Sequence, residues 1–154
     1  ISKHHKSRMS YSTLPRWSAT TLLLFLLIVS TSCDSRPARI PISGQVRIDG
    51  QPLEQGVITV WVKGYRPASG SIGKDGRFSL QTHDPGDGCI PGDHPVSIRS
   101  QQDMKGDMTK IFIPERYGDP ERSGIRLNVE KPVDDWVIDL TWKGDEHSGP
   151  YILK

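Results

Sequence analysis

The sequence predicts an all-β fold: a single antiparallel β-sandwich of about seven strands, preceded by a signal peptide. Three observations predict this fold. Apolar and polar residues alternate in several short segments, as in strands with one buried face. Glycine, proline and aspartate cluster between those segments, as they do in turns, and no amphipathic helical pattern follows Cys33. Short strands separated by such turns are typical of a sandwich.

The first strand is predicted over residues 40–48, where isoleucine and valine side chains share one parity. The turn Asp49–Pro52 follows, because its glycine supplies the positive φ that a tight turn requires. Residues 57–62 form a β-branched run that is apolar on both parities. This run suits a central strand covered on both faces, or a strand with one face near the edge of the protein.

Residues 70–80 contain two short strands that meet at a second Asp-Gly turn, Lys74–Arg77, and so predict a hairpin. The segment Thr82–Pro91 is predicted to be a loop, and a strand follows over residues 95–99. Residues 101–110 are polar and carry no period, so they predict a mobile loop.

Two cleanly alternating segments, residues 125–129 and 136–142, predict the last strands. The predicted core is Ile42, Val46, Ile48, Ile58, Val60, Phe78, Leu80, Val96, Ile98, Ile125, Leu127, Val129, Ile138 and Leu140. The predicted organisation is a signal peptide at 1–32, a lipidated cysteine and tether at 33–39, the sandwich at 40–142 and a polar tail at 143–154.

The signal peptide is predicted from the uncharged apolar run Leu22–Val29, which follows basic residues and ends just before Cys33. This run is too short to span a bilayer, which takes about 20 residues, and has the length of a signal peptide. Met9 would open a more ordinary signal. Cys33 lies where a bacterial lipoprotein carries its lipidated cysteine, although Ser30 replaces the usual apolar residue. The alternative is cleavage near residues 30–32 and secretion as a soluble domain.

The two cysteines, Cys33 and Cys89, allow two exclusive interpretations. A lipidated Cys33 has its sulfur in a thioether, which leaves Cys89 without a partner in its chain. A soluble exported domain would instead favour a disulfide between them. The position of Cys33 after the apolar run favours lipidation.

The charge balance gives no electrostatic case for nucleic acid. Four of the 20 basic residues and none of the 18 acidic residues precede Cys33. The exported part therefore carries 16 basic and 18 acidic residues, a net charge of −2. Nucleic-acid binding would require a basic stripe.

Candidate chemical residues concentrate in the predicted loop 82–91 and its flank. Asp84, Asp87 and Asp93 could surround calcium, but the spacing of an EF-hand is absent. His83, His94 and Cys89 could suggest zinc, but no fourth ligand is evident. The same cysteine and histidines lack the oriented base and oxyanion site of a thiol protease. We therefore expect no metal, no cofactor and no catalytic residue.

Four segments in order resemble the carboxypeptidase-regulatory-like, transthyretin-like β-sandwich of small bacterial lipoproteins. The first contains Gly44-Gln-Val-Arg-Ile-Asp-Gly-Gln-Pro-Leu53, similar to the G-x-V-x-x-D-G-x-P-L start of that family. The other segments are Pro67–Leu80, Pro85–Val96 and Ile113–Ile125, the last of which contains the Ser123-Gly124 pair that the family uses structurally. The resemblance runs from Ile42 to Leu140.

The resemblance implies a prealbumin-like fold and an envelope location, and it implies no reaction. Transthyretin-like hydrolases of 5-hydroxyisourate end in Tyr-Arg-Gly-Ser, whereas this sequence ends in Gly-Pro-Tyr-Ile-Leu-Lys. His94 replaces a tyrosine of the family, with Pro95 beside it. Since proline cannot donate a ladder hydrogen bond, this strand should lie at an edge or begin after residue 95.

The function expected from these observations is a non-catalytic, lipid-anchored β-sandwich of the cell envelope, facing the periplasm or the cell surface. It would act as a binding or structural module, held on the membrane by its lipid, with an envelope protein or a carbohydrate as partner. The loops 82–91 and 101–110 are expected together at one end of the sandwich. Of Trp61, Trp136 and Trp142, only Trp61 is expected to be partly exposed. The alternative is a secreted hydrolase or a metal-dependent accessory domain that uses the His83–His94 loop.

Overall fold

The computed structural model describes residues 37–154, so the predictions for residues 1–36, including Cys33, lie outside the described residues. Within residues 37–154 the chain forms strands and one 3-10 helix, Glu115–Gly118, and no α-helix. The strands are β1 (Ile42–Ile48), β2 (Gln51–Pro52), β3 (Gly56–Val60), β4 (Ala68–Ile72), β5 (Arg77–Ser79), β6 (Gly92–Arg99), β7 (Gln101–Met104), β8 (Met108–Ile111), β9 (Arg126–Val129), β10 (Val133–Leu140) and β11 (Tyr151–Leu153).

The predicted all-β sandwich is confirmed. One sheet has the order β10-β1-β2, with β5 also paired to β1, and a second sheet has the order β4-β3-β6-β9. The inner side chains of both sheets form one buried cluster. A small third sheet has the order β11-β8-β7. Within the described residues there are thus eleven strands rather than about seven, because several short pairings carry no hydrophobic pattern.

One strand pair departs from the predicted antiparallel arrangement. Strands β1 and β10 run parallel, with Val46 opposite Ile138 and Ile48 opposite Leu140. Parallel neighbours need a crossover connection. Here the chain passes through the second sheet between β1 and β10 and then returns to the first sheet in its original direction.

Both predicted Asp-Gly turns are present, with φ of 82° at Gly50 and 76° at Gly76. Asp49 and Gly50 both have positive φ, as a two-residue hairpin turn between Ile48 and Gln51 requires. The second turn does not join a simple two-stranded hairpin. Strand β4 pairs with β3 and strand β5 pairs with β1, so this turn carries the chain from one sheet to the other.

Residues 101–111 form a hairpin, which corrects the predicted mobile loop. Strands β7 and β8 pair from Gln101–Ile111 to Met104–Met108. All side chains of β7 are exposed, so its sequence has no hydrophobic pattern. The predicted polar tail 143–154 also requires correction, since β11 lies within it and pairs with β8.

The prediction for Pro95 is wrong, because β6 begins at Gly92 and lies between β3 and β9. Pro95 is tolerated there for a local reason. Its carbonyl accepts a hydrogen bond from the Trp61 N–H at 2.9 Å, and its nitrogen faces the same side. The pairing with β3 ends at Val60 opposite Val96, so Pro95, which has no N–H to donate, lies just beyond the end of that ladder.

The predicted core is buried except for Ile48 and Ile125, which are partly buried against it. Strand β3 is central in its sheet, but only its inner face is covered, since Ile58 and Val60 are buried and Val57 is 45% exposed. The core also contains Cys89, which is fully buried. Burial raises the pKa of this thiol from its ordinary 9.0 to about 11, and a hydrogen bond from the Ile90 N–H lowers the pKa by a smaller amount.

Replacement of Gly76 by alanine should destabilise the domain more than the same change at Gly50. Both glycines have positive φ, but a Cβ at Gly76 would also lie 2.5 Å from the Val46 carbonyl oxygen, whereas Gly50 has open space. We expect a loss of about 1 kcal/mol or more for Gly76→Ala, measured by denaturant unfolding. Gly149→Ala is the matched control, because that position has neither positive φ nor a neighbour within 4 Å. Equal midpoints for the three variants would contradict the turn assignment.

Cys89 should be almost unreactive in the folded protein. A pKa about two units above the ordinary value lowers the thiolate fraction at pH 8 by about 100-fold, and burial slows attack further. Ellman's reagent should therefore titrate this thiol only after denaturation. Denatured, unreduced protein with a lipidated Cys33 should then show one reactive thiol per chain. No reactive thiol, together with a mass that fits a Cys33–Cys89 bridge, would favour the secreted, disulfide-bonded alternative.

Candidate functional site

The two loops that were expected together lie at opposite ends of the sandwich, which corrects that prediction. The loop 82–91 precedes β6 and the hairpin 101–111 follows it. The seven residue steps of β6 (Gly92–Arg99) span about 23 Å at roughly 3.3 Å per step. We call the end formed by Ile40 and the loop 82–91 the Cys89 end, and the end formed by the hairpin 101–111 the hairpin end.

Asp87 organises the loop at the Cys89 end. Its carboxylate accepts hydrogen bonds from the backbone N–H of Thr82 at 2.6 Å, of His83 at 3.1 Å and of Asp84 at 3.2 Å. It also pairs with Arg39 at 3.1 Å. Burial alone would raise the pKa of Asp87, but these donors outweigh it and lower the pKa. The carboxylate that could have served calcium is therefore occupied by the protein itself.

The two histidines near this loop have different environments and do not form a joint site. His94 is 9% exposed, and its Nε2 lies 2.9 Å from the Ile90 carbonyl oxygen. His83 is exposed on the loop. Asp93 is paired with Arg126 at 2.8 Å. His94 thus fills a packing position.

The candidate nucleophiles are also engaged in the fold. Cys89 is fully buried, and its backbone N–H donates to the Ile40 carbonyl at 3.0 Å. The Ser123 hydroxyl donates to the Val96 carbonyl at 2.5 Å and accepts from the Ile125 N–H at 3.1 Å. Ser123 therefore connects the segment before β9 to β6, and its role here is structural.

Two features are absent from the described residues 37–154. They contain no group of three or more histidine, cysteine, aspartate or glutamate side chains placed to hold one metal ion. They also contain no helix with the length and hydrophobicity needed to cross a membrane.

The tryptophans lie largely as expected. Trp61 is 43% exposed, and its indole N–H donates to the Ser97 hydroxyl at 2.9 Å. Trp142 is buried, and Trp136 packs partly buried against the core with its ring edge on Phe78. The opposite parity of Trp61 and Val60 is the sequence signal that separates this tryptophan from the core.

A groove of about 530 Å³ lies at the hairpin end. Its volume falls within the range of small-molecule sites. Buried Ile98, Ile111 and Ile113 form its apolar part. Its charged lining has both signs, with the cations Arg99 and Lys154 and the acids Asp107, Glu115 and Asp119. Sequence reasoning missed this groove, because it is assembled from the end of β6, the hairpin and β11.

Arg116 is a second feature that the sequence did not reveal. Its guanidinium pairs with Asp145 at 3.1 Å and donates to the carbonyl oxygens of Thr141 at 2.5 Å and Lys143 at 3.3 Å. This arginine fixes the segment after β10 and so allows β11 to reach β8. The apolar triplet Tyr151–Leu153 in an otherwise polar tail was the available signal for this docking.

Comparisons with known proteins give one partial similarity. No family model and no curated protein matches the sequence. Among solved structures, the chain is similar to a DUF3823 family protein from Parabacteroides merdae, with a TM-score of 0.39 and 16% identity. The similarity covers 69% of this chain and 46% of that chain, so this chain spans less than half the length of that protein.

Proposed function

We propose that this chain is a non-catalytic, lipid-anchored β-sandwich of the cell envelope that acts as a binding or structural module. The observation that carries the proposal is the apolar run Leu22–Val29 followed at once by small residues and Cys33, with basic residues in front. A thioether lipid on Cys33 would hold the exported domain on a membrane that faces the periplasm or the cell surface. The transthyretin-like resemblance of residues 42–140 is part of this proposal.

The absence of a catalytic role is supported by how the reactive side chains are used. Asp87 holds loop amides, His94 packs beside the Ile90 carbonyl and Ser123 bridges two segments. Catalysis needs a nucleophile and a base within hydrogen-bond reach of each other and of a substrate. These three side chains already serve the fold.

The groove at the hairpin end is the surface best suited to a partner. It combines a buried apolar part with charged side chains of both signs, and a mixed lining of this kind is typical of binding sites. The guanidinium of Arg99 contacts only the Gly118 carbonyl, at 3.4 Å, within the described residues. The expected occupant of this groove is an envelope protein or a carbohydrate.

Cys33→Ala should abolish membrane retention of the processed protein. Its thioether supplies the lipid chains, and stable anchoring needs at least two hydrophobic signals. Fractionation of cells into membrane and soluble parts measures the effect. Cys89→Ala is the matched control, because that thiol is buried in the core and should not affect fractionation. A processed Cys33→Ala protein that sediments with membranes as well as the natural protein would contradict lipid anchoring.

The purified protein should not turn over peptide, ester or 5-hydroxyisourate substrates. Cys89 is fully buried and the Ser123 hydroxyl donates to the Val96 carbonyl, so neither side chain is placed to attack a substrate. Steady-state assays with each substrate class measure this. Turnover that survives repurification and disappears in the His83→Ala, His94→Ala double variant would favour the enzyme instead.

A further inference from the structure

The turn after β3, residues 61–66, exposes a mixture of aromatic and basic side chains. Trp61 is 43% exposed and Tyr65 is 57% exposed. Lys63 and Arg66 are also exposed, and neither forms an ion pair with another described residue. Tryptophan and tyrosine with lysine and arginine is the composition favoured at the headgroup level of a bilayer.

Trp61 is suited to contact with an apolar phase. The indole N–H, its only polar group, is bound to the Ser97 hydroxyl at 2.9 Å, and Ser97 is 4% exposed. The exposed part of the side chain is therefore hydrocarbon. Insertion of this part among lipid chains would leave no indole hydrogen bond unmade.

This turn lies at the Cys89 end of the sandwich. Strand β3 runs antiparallel to β6, from Val57 opposite Arg99 to Val60 opposite Val96, and the Trp61 N–H then donates to the Pro95 carbonyl. The turn therefore continues toward the start of β6. Ile40 pairs with Cys89, three residues before β6 begins. The exposed turn and the point where the chain enters the domain therefore share one end, and the hairpin 101–111 occupies the other.

The length of the chain before Ile40 limits how far this end can lie from a lipidated Cys33. Seven residue steps separate the two residues, and a fully extended chain covers about 25 Å over seven steps. Arg39 is fixed by its pair with Asp87, which shortens the free part. A lipid on Cys33 therefore keeps the Cys89 end near the bilayer surface.

We propose that residues 61–66 form a second membrane contact, in which Trp61 and Tyr65 enter the headgroup region and Lys63 and Arg66 meet anionic phospholipids. This inference rests on the proposed lipid anchor and adds an orientation to it. Exposed acids at the same end, such as Asp84 and Asp134, lie outside the turn. The proposed contact is confined to residues 61–66, which lead into the edge strand β4. The groove at the hairpin end would then face away from the membrane.

Lipid-phase quenching of a labelled thiol tests this orientation in the full-length protein. The protein is reconstituted into phosphatidylcholine–phosphatidylglycerol vesicles that contain a nitroxide-labelled phospholipid. A fluorescent label is attached to Lys63→Cys in the turn, or to Lys105→Cys in the exposed turn between β7 and β8 as the matched control. Natural protein taken through the same labelling gives the background, since Cys89 is buried.

Quenching at position 63 should exceed that at position 105 by about twofold or more. Because Arg66 remains in the labelled variant, this quenching should still fall when phosphatidylglycerol is omitted. Trp61→Ser with Tyr65→Ser should lower quenching at position 63 while the protein still sediments with the vesicles. Equal quenching at both positions in a sedimenting protein would overturn the second contact and leave the lipid anchor intact. The second contact would also be overturned if an envelope polysaccharide, and not lipid, shielded the Lys63→Cys thiol from labelling. A protein that does not sediment would overturn both proposals.

Discussion

The structure depends on the backbone bridge between Ile40 and Cys89, because this bridge decides where the chain enters the sandwich. The Ile40 N–H donates to the Cys89 carbonyl at 2.8 Å, and the Cys89 N–H returns the bond at 3.0 Å. The approach is so close that a Cβ on Gly88, with φ of 85°, would lie 1.8 Å from the Ile40 carbonyl oxygen. Only glycine fits there, and the Asp87 carboxylate holds the loop in the matching shape.

A different set of polar contacts closes the opposite end. Arg116 fixes the carbonyl groups that follow β10, and the Tyr151 hydroxyl donates to Glu115 at 2.9 Å. Burial, the hydrogen bond to Glu115 and nearby acidic charges raise the pKa of Tyr151 to about 12, so its phenol stays protonated and able to donate. Charged and polar side chains thus attach the chain after β10 to the sandwich, where the apolar pattern is too short to do so.

The sequence predicted those features that depend on local information. Alternation marked nearly the whole core, because a strand with one buried face imposes a period of two on its own residues. Gly50 and Gly76 were predicted because positive φ restricts residue type at a single position. The pairing of β7 and β8 was not predicted. Backbone hydrogen bonds join these two strands, and the side chains of β7 are all exposed, so the sequence shows no hydrophobic pattern there. The parallel pairing of β1 and β10 was not predicted either, because partners about 90 residues apart leave no joint local pattern.

The same distinction applies to the site. The reactive residue types in the loop 82–91 suggested chemistry, yet the Asp87 carboxylate holds the backbone of that loop and Cys89 is buried in the core. Exposed Trp61 carries the opposite kind of signal, because it is a large apolar surface that the fold leaves uncovered. A lipid anchor on a short tether would make any contact of this turn intramolecular, so that a weak interaction suffices. About 1 kcal/mol for each basic residue near an anionic surface would then be enough to orient the domain without adding to its retention.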